Sequence, residues 1–263
     1  MTLEFHDAIF GDLLREDGLA VVAPGLGVEA VVRRFVGFYS GQRHTLRSKQ
    51  RSSATASVGT TSGRKHARSG GTDDDGAVLV LNASHLAERW KEALLGEGIV
   101  PSSLPATITS EVSSAKERKD IYDTASSVFI TSRICIVDLL TKRLDPEKIR
   151  GILVFNAHLV SDTSSEGFIL RIFRQQNQRG FIKAFSDNPL ALAGGFNKLE
   201  KVLRALHVRK LMLWPRFHVT VSKELEADPP EVVEISQPLS PGQRAIQRCV
   251  VEAMDVCIQE LRK

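Results

Sequence analysis

The stretch VVAPGLGVEAVVRRF, Val21–Phe35, passes from an apolar β-branched run through Gly25 and Gly27 into a helical pattern. A strand that turns on glycines into a helix is how a nucleotide-binding protein builds its phosphate loop, with backbone N–H groups facing the anion. A working loop also needs a lysine for the outer phosphates and a Ser or Thr for magnesium. Val28 and Glu29 stand at those positions. A carboxylate is comfortable at a helix N-terminus, yet it would repel a triphosphate placed there. Gly25, Gly27, Val28 and Glu29 therefore read as a degenerate nucleotide site in which the turn outlives the chemistry. A lone pair of glycines also serves as a plain strand-to-helix turn.

Outward from this turn the chain alternates. Runs at LAVVA (Leu19–Ala23), AVLVLN (Ala77–Asn82), VFITS (Val128–Ser132), GILVFN (Gly151–Asn156) and GFIKAF (Gly180–Phe185) predict buried strands separated by helical patterns. KLMLWPRFHVTV (Lys210–Val221) predicts a final strand-like piece. Alternation of this kind implies an α/β fold, a parallel sheet with helices on both faces and ligands at the carboxyl ends of the strands. The last segment, PGQRAIQRCVVEAMDVCIQELRK, puts Ile246, Cys249, Val250, Ala253, Met254, Cys257, Ile258 and Leu261 on one helical face. Either the sheet packs against that face or the helix opens a further subdomain.

A second nucleotide test lies after GILV. Nucleic-acid motors place Asp-Glu-Ala-His there, the Asp holding magnesium and the Glu orienting the attacking water. This chain has Phe155, Asn156, Ala157 and His158. The Ala-His half is in register, while Phe155 and Asn156 cannot do the missing work. VFITSRICIVDLL upstream resembles the strand and helix of a strand-contacting motif in such motors. KAFSDNP downstream sits where their Ser-Ala-Thr motif couples ATP to movement.

Three longer runs are specific: SSVFITSRICIVDLLTKRLDPEKIRGILVFNAHLV, EGFILRIFRQQNQRGFIKAFSDNP and VRKLMLWPRFHVTV. Together they resemble the helicase-like N-terminal region of the XPF family of structure-specific DNA repair endonucleases. The resemblance implies a RecA-like domain of superfamily-two helicase descent over 1–40 and 76–223, without ATPase function. It also implies the start of a helical subdomain over 224–263. In the family the nuclease site, with its Mg or Mn, and the helix-hairpin-helix module that pairs with a smaller partner lie C-terminal to this region. The expected role is that of a scaffold in nucleotide-excision repair, in the nucleus, meeting damaged DNA, splayed-arm or bubble junctions and repair scaffold proteins. No cofactor is expected here. The alternative readings are an active DEAH-type ATPase and a nuclease.

The nuclease reading rests on ERKDIYD, Glu117–Asp123, which matches the family's Glu-Arg-Lys, spacer, Asp order and would use Glu117, Lys119 and Asp123. Such a site needs carboxylates and a lysine converging on one cation. Gly11-Asp12, its other half, lies more than a hundred residues upstream, and a solvated charge cluster explains the match as well. Candidate DNA contacts are Arg171, Arg174, Arg179 and Lys183 around the turn FRQQNQRGFIK, with Arg133 on the TSR segment. A cluster of this kind binds phosphates without reading sequence. Alternatively these arginines pair with Asp138, Asp187 or Glu166 and fix the turn.

Composition bounds the rest. In 263 residues, 42% hydrophobic and 25% charged, the formal charge is +4. Residues 41–75 hold seven of the 35 cations and three of the 31 acids, so 28 of each sign remain elsewhere. The basic character thus belongs to this Ser- and Gly-rich insert, Arg43 to Asp75, which is too poor in apolar residues to offset its ordering entropy and is predicted to be a disordered loop. It could touch nucleic acid or assist nuclear import, or simply be a solvated linker. Cys135, Cys249 and Cys257 show no paired spacing, which points to a reducing compartment. No run of 18 apolar residues occurs, so no membrane contact is expected.

Overall fold

The computed structural model describes residues 3–55, 76–109, 114–195, 197–227, 229 and 233–262, with backbone alone for 42–55. The elements in chain order are α1 (Glu4–Arg15), β1 (Gly18–Val22), α2 (Val28–Thr55), β2 (Ala77–Leu81), α3 (Ala87–Gly96) and β3 (Ala106–Ile108). Next come α4 (Ala115–Thr124), β4 (Ser127–Ile130), α5 (Ser132–Leu140), β5 (Ile149–Val154), α6 (Ser165–Gln176) and β6 (Phe181–Ser186). The chain closes with α7 (Pro189–Ala193), α8 (Lys198–Ala205), β7 (Lys210–Trp214), α9 (Val219–Ala227) and α10 (Pro241–Leu261). Two compact units result, Met1–Glu226 and Ala227–Lys263.

The first unit is a seven-stranded sheet in the order β3-β4-β2-β5-β6-β1-β7, and every paired strand runs parallel to its neighbour. Its strands are apolar on both sides because both sides are covered. Leu19, Val21, Leu79, Leu81, Ile152 and Val154 join Cys135, Leu139, Ile169, Phe173 and Leu206 on the face of α4, α5, α6 and α8. Ala20, Val22, Val78, Val80, Leu153 and Phe185 join Phe5, Ile9, Phe35, Trp90 and Leu94 on the face of α1, α2 and α3. The predicted strands are all present. β3 is additional: at three residues after Pro105 it is too short to leave a periodic signal. KLMLWPRFHVTV is strand only to Trp214, after which the chain turns and helix α9 begins at Val219.

The basic insert differs in part from its prediction. Helix α2 continues to Thr55, so the backbone of 41–55 is helical. Extending an existing helix needs no new nucleus, and Arg, Lys and Gln are good helix formers. The remainder of the insert, 56–75, lies outside the described residues. In the second unit, α10 forms where the apolar periodicity places it, and Ser240 and Gln243 make a capping box at its start.

Two polar knots fasten the first unit. Asp138 is wholly buried on α5. It accepts two bonds from Arg118, at 2.9 Å and 3.1 Å, one from Tyr122 Oη at 2.7 Å and one from Arg143 at 3.3 Å, fixing α4 to α5. Burial and the Asp138 carboxylate push the Tyr122 phenol well above its ordinary range, so it stays a donor. The second knot surrounds Asp17, which accepts Ile182 N at 3.0 Å and lies 3.5 Å from Arg174 and 3.7 Å from Lys183.

Asp138→Ala leaves the Arg118 guanidinium and the Tyr122 hydroxyl without their buried acceptor, and is predicted to lower unfolding free energy by about 3–5 kcal/mol. The exposed pair Asp123–Lys148, 3.7 Å apart, supplies the control, since Asp123→Ala should cost under about 1 kcal/mol. Denaturant midpoints measure both, and equal shifts would contradict the assignment.

Candidate functional site

A parallel sheet delivers its loops to one rim, and the two degenerate nucleotide segments meet there. After β1 the chain turns through Leu26 N to Ala23 O at 3.2 Å, with Gly25 at φ 85° and Gly27 at φ 73°. These left-handed conformations are open to glycine and strained for other residues. Two side chains from distant parts of the chain pack against this turn. His6, from α1, is buried and places Nε2 2.7 Å from Leu26 O, so that nitrogen carries the proton. A Cβ on Gly27 would lie 3.3 Å from the same imidazole. Arg216, from the turn after β7, donates to Pro24 O at 2.8 Å, and a Cβ on Gly25 would stand 3.0 Å from its guanidinium. Leu26 and Val28 are buried in the apolar layer beneath, and Glu29 pairs with Arg89 on α3.

At the end of β5, Phe155 points into the core. It is 4% exposed and meets Trp90 edge-on at 5.8 Å. Asn156 takes a left-handed conformation, φ 51°, and opens a short 3-10 turn over 157–159. His158 Nδ1 lies 2.9 Å from Ser186 Oγ, which also accepts Asn188 N at 3.2 Å. The Phe155-Asn156-Ala157-His158 turn and the Ser186-Asp187-Asn188 segment, matched to separate motor motifs, are thus in direct contact.

The basic candidates do not form one cluster. Lys183 is 2% exposed. Its ammonium donates to Leu13 O and faces Asp17, while burial pushes its pKa below the usual lysine range. It is an internal pin between α1 and β6 and cannot reach a phosphate, which corrects the sequence expectation. Arg174 donates to Gly180 O at 2.8 Å and Gln178 O at 3.2 Å, and Asn177 closes the same turn by accepting Gly180 N at 2.7 Å. The acid that fixes this turn is Asp17 rather than Asp138, Asp187 or Glu166; Asp138 is taken by Arg118 and Arg143, and Glu166 accepts Ser132 Oγ at 2.6 Å. Arg171 donates to Asp162 O at 2.9 Å, and Arg179 is exposed. Arg174, Arg179 and Lys183 gather at the amino end of β6, whereas Arg133 stands at the carboxyl end of β4.

Arg133 is exposed in the first turn of α5 and makes no ion pair among the described residues. Beside it, Asn82, Ser84, His85, Thr109, Ile130, Thr131 and Ser132 line a groove of about 470 Å³ across the ends of β2, β3 and β4. Thr131 N-caps α5 without a side-chain bond, leaving the amides of that helix start open. The groove residues other than those of TSR were not evident from sequence, although Asn82 and Thr131 end strands that were.

The nuclease triad is not assembled. Glu117 closes the capping box of α4, its carboxylate accepting Ser114 N at 2.8 Å. Asp123 lies six residues on, about 9 Å along the helix axis, and Gly11-Asp12 belongs to α1. Among the described residues no group of three or more His, Cys, Asp or Glu is placed to hold a metal ion.

His158 generates a pH prediction. Burial lowers its pKa below the ordinary 6.5, with Lys198 acting in the same sense and Asp187 against. The unfolded chain therefore takes up the proton first as pH falls, so the stability is fully present above 6.5 and is lost through the folded value. His207, lowered by burial and by Arg174 and Arg171, leaves a residual slope. Thermal midpoints should fall between about pH 7.5 and about pH 5, and fall less steeply in His158→Gln. An unchanged slope would contradict the imidazole's role.

Among curated proteins, the DNA repair endonuclease XPF of Cricetulus griseus is 38% identical over 261 residues, 99% of this chain and 25% of its own length. The DNA repair endonuclease UVH1 of Arabidopsis thaliana is 36% identical over 266 residues, 100% of this chain and 24% of its own. The DNA repair protein rad16 of Schizosaccharomyces pombe is 32% identical over 263 residues, 100% and 26%. The chain thus spans about a quarter of the length of these relatives. No family model matches. Among solved structures, the helicase domain of Pyrococcus furiosus Hef superposes with TM-score 0.61 at 16% identity, over 84% of this chain and 39% of that one, a likeness of fold. With a RecA-like sheet and relatives of one kind along its whole length, the chain is similar to the helicase-like region of the XPF family of DNA repair endonucleases.

Proposed function

We propose that this chain is an ATP-independent scaffold, derived from a helicase, that positions DNA for a structure-specific endonuclease in nucleotide-excision repair. The observation that carries the reading is the altered phosphate loop: His6 and Arg216 bond its carbonyls, and where a motor would present a lysine and an alcohol Val28 is buried and Glu29 pairs with Arg89. Phe155 adds to it, since an aromatic ring turned into the core supplies neither magnesium ligand nor water-orienting group. The reading assigns cleavage, with its Mg or Mn, to sequence beyond these residues. It assigns pairing with the smaller helix-hairpin-helix partner there too.

The DNA contact is proposed along the carboxyl rim of β2, β3 and β4. Hydroxyls of Ser84, Thr109 and Thr131, the open amides of α5 and the Arg133 guanidinium suit a phosphate backbone read without sequence preference. Splayed-arm or bubble junctions near damaged sites are the proposed substrates, the nucleus the proposed compartment, and repair scaffold proteins the proposed partners.

The test is fluorescence anisotropy with a splayed-arm DNA at low and moderate salt. Arg133→Glu should weaken binding several-fold and reduce the slope of log affinity against log salt by roughly one. Arg174→Glu should lower the thermal midpoint and leave the affinity of the folded protein alone. Unchanged binding by Arg133→Glu would contradict the placement of the contact.

A further inference from the structure

The sheet ends at β7, and among the described residues of Met1–Glu226 no strand pairs with the outer edge of β7. Helix α9, which follows it, returns to the α1 and α2 face, where Val221 is buried. The opposite face of β7 is left partly open. Leu211 and Leu213 share it by strand alternation, and Leu213 is 58% exposed. Beside them lies a groove of about 400 Å³ with Leu192, Leu199 and Lys198 on its far wall. An unpaired strand edge next to an apolar groove offers backbone bonds and side-chain seats together.

The charges around it are one-sided. Lys198 lines the groove, Lys201 follows one turn along α8 and Arg209 precedes β7; none of the three has an ion pair among the described residues. Acids near them along the chain or across the β1–β7 pairing are engaged: Glu16 pairs with Lys210, Glu200 with Arg204, and Asp187 faces His158. A duplex or single strand would meet the cations but gain nothing from an apolar floor or a strand edge.

We propose that the edge of β7 and this groove receive an extended acidic segment of a partner protein. Its backbone would add a strand to β7, its apolar side chains at alternate positions would enter beside Leu199, Leu211 and Leu213, and its carboxylates would meet Lys198, Lys201 and Arg209. The site is distinct from the rim at β2, β3 and β4 and does not depend on the DNA reading.

The test is an amide NMR titration of the isotope-labelled chain with a blocked octapeptide alternating leucine and glutamate. Shifts should fall on Lys210–Trp214 and Lys198–Ala205, and Leu213→Asp, a change at an exposed position, should weaken binding by about fivefold or more at an unaltered thermal midpoint. A peptide N-methylated on its edge-facing amides should not bind. Silence at these amides, undiminished binding by Leu213→Asp or by the N-methylated peptide, or displacement of the peptide by a single-stranded oligonucleotide would each overturn the proposal.

Discussion

Burial of both faces of a parallel sheet constrains everything else in the larger unit. With α1, α2 and α3 on one side and α4, α5, α6 and α8 on the other, the inner strands have no free face, and their backbone groups are open only at the rims. All the segments related to motor motifs, after β1, β4, β5 and β6, therefore come to one rim because their strands run in one direction. The amino rim takes the opposite character: Asp17, Arg174, Asn177 and Lys183 close on one another as structural fasteners.

At the carboxyl rim the loop after β1 is held by side chains from distant parts of the chain. His6 and Arg216 donate to the carbonyls of Leu26 and Pro24, and Leu26 and Val28 turn into the apolar layer. The same logic holds at Phe155, whose ring completes an apolar contact with Trp90. Hydrogen bonds and burial supplied by the chain's own residues hold both segments in place.

Much of this was legible beforehand, for definite reasons. Glycines at a strand-to-helix turn and alternating apolar runs are local signals, so the sheet, the strand-to-helix turn and the place of Phe155 and Asn156 after β5 could be read directly. What packs against the turn could not: His6 and Arg216 are separated by most of the chain and are brought to Gly27 and Gly25 only by the packing of α1 and the pairing of β7 with β1. Lys183 misled for a related reason. A lysine in a basic run suggests a surface, while its position in β6, between buried Ile182 and Ala184, places it inside. The ERKD segment resembles a metal motif through composition alone, since Ser114 and Glu117 form a helix-start signature.

Calorimetric titration of the chain with Mg-ATP tests the central claim most directly. The account predicts no saturable heat with or without magnesium, because Val28 and Glu29 stand where a lysine and an alcohol would hold the phosphates and magnesium. Magnesium-dependent, saturable binding that is lost on replacing Gly25 or Gly27 would contradict it and return the chain to the class of working nucleotide-driven motors.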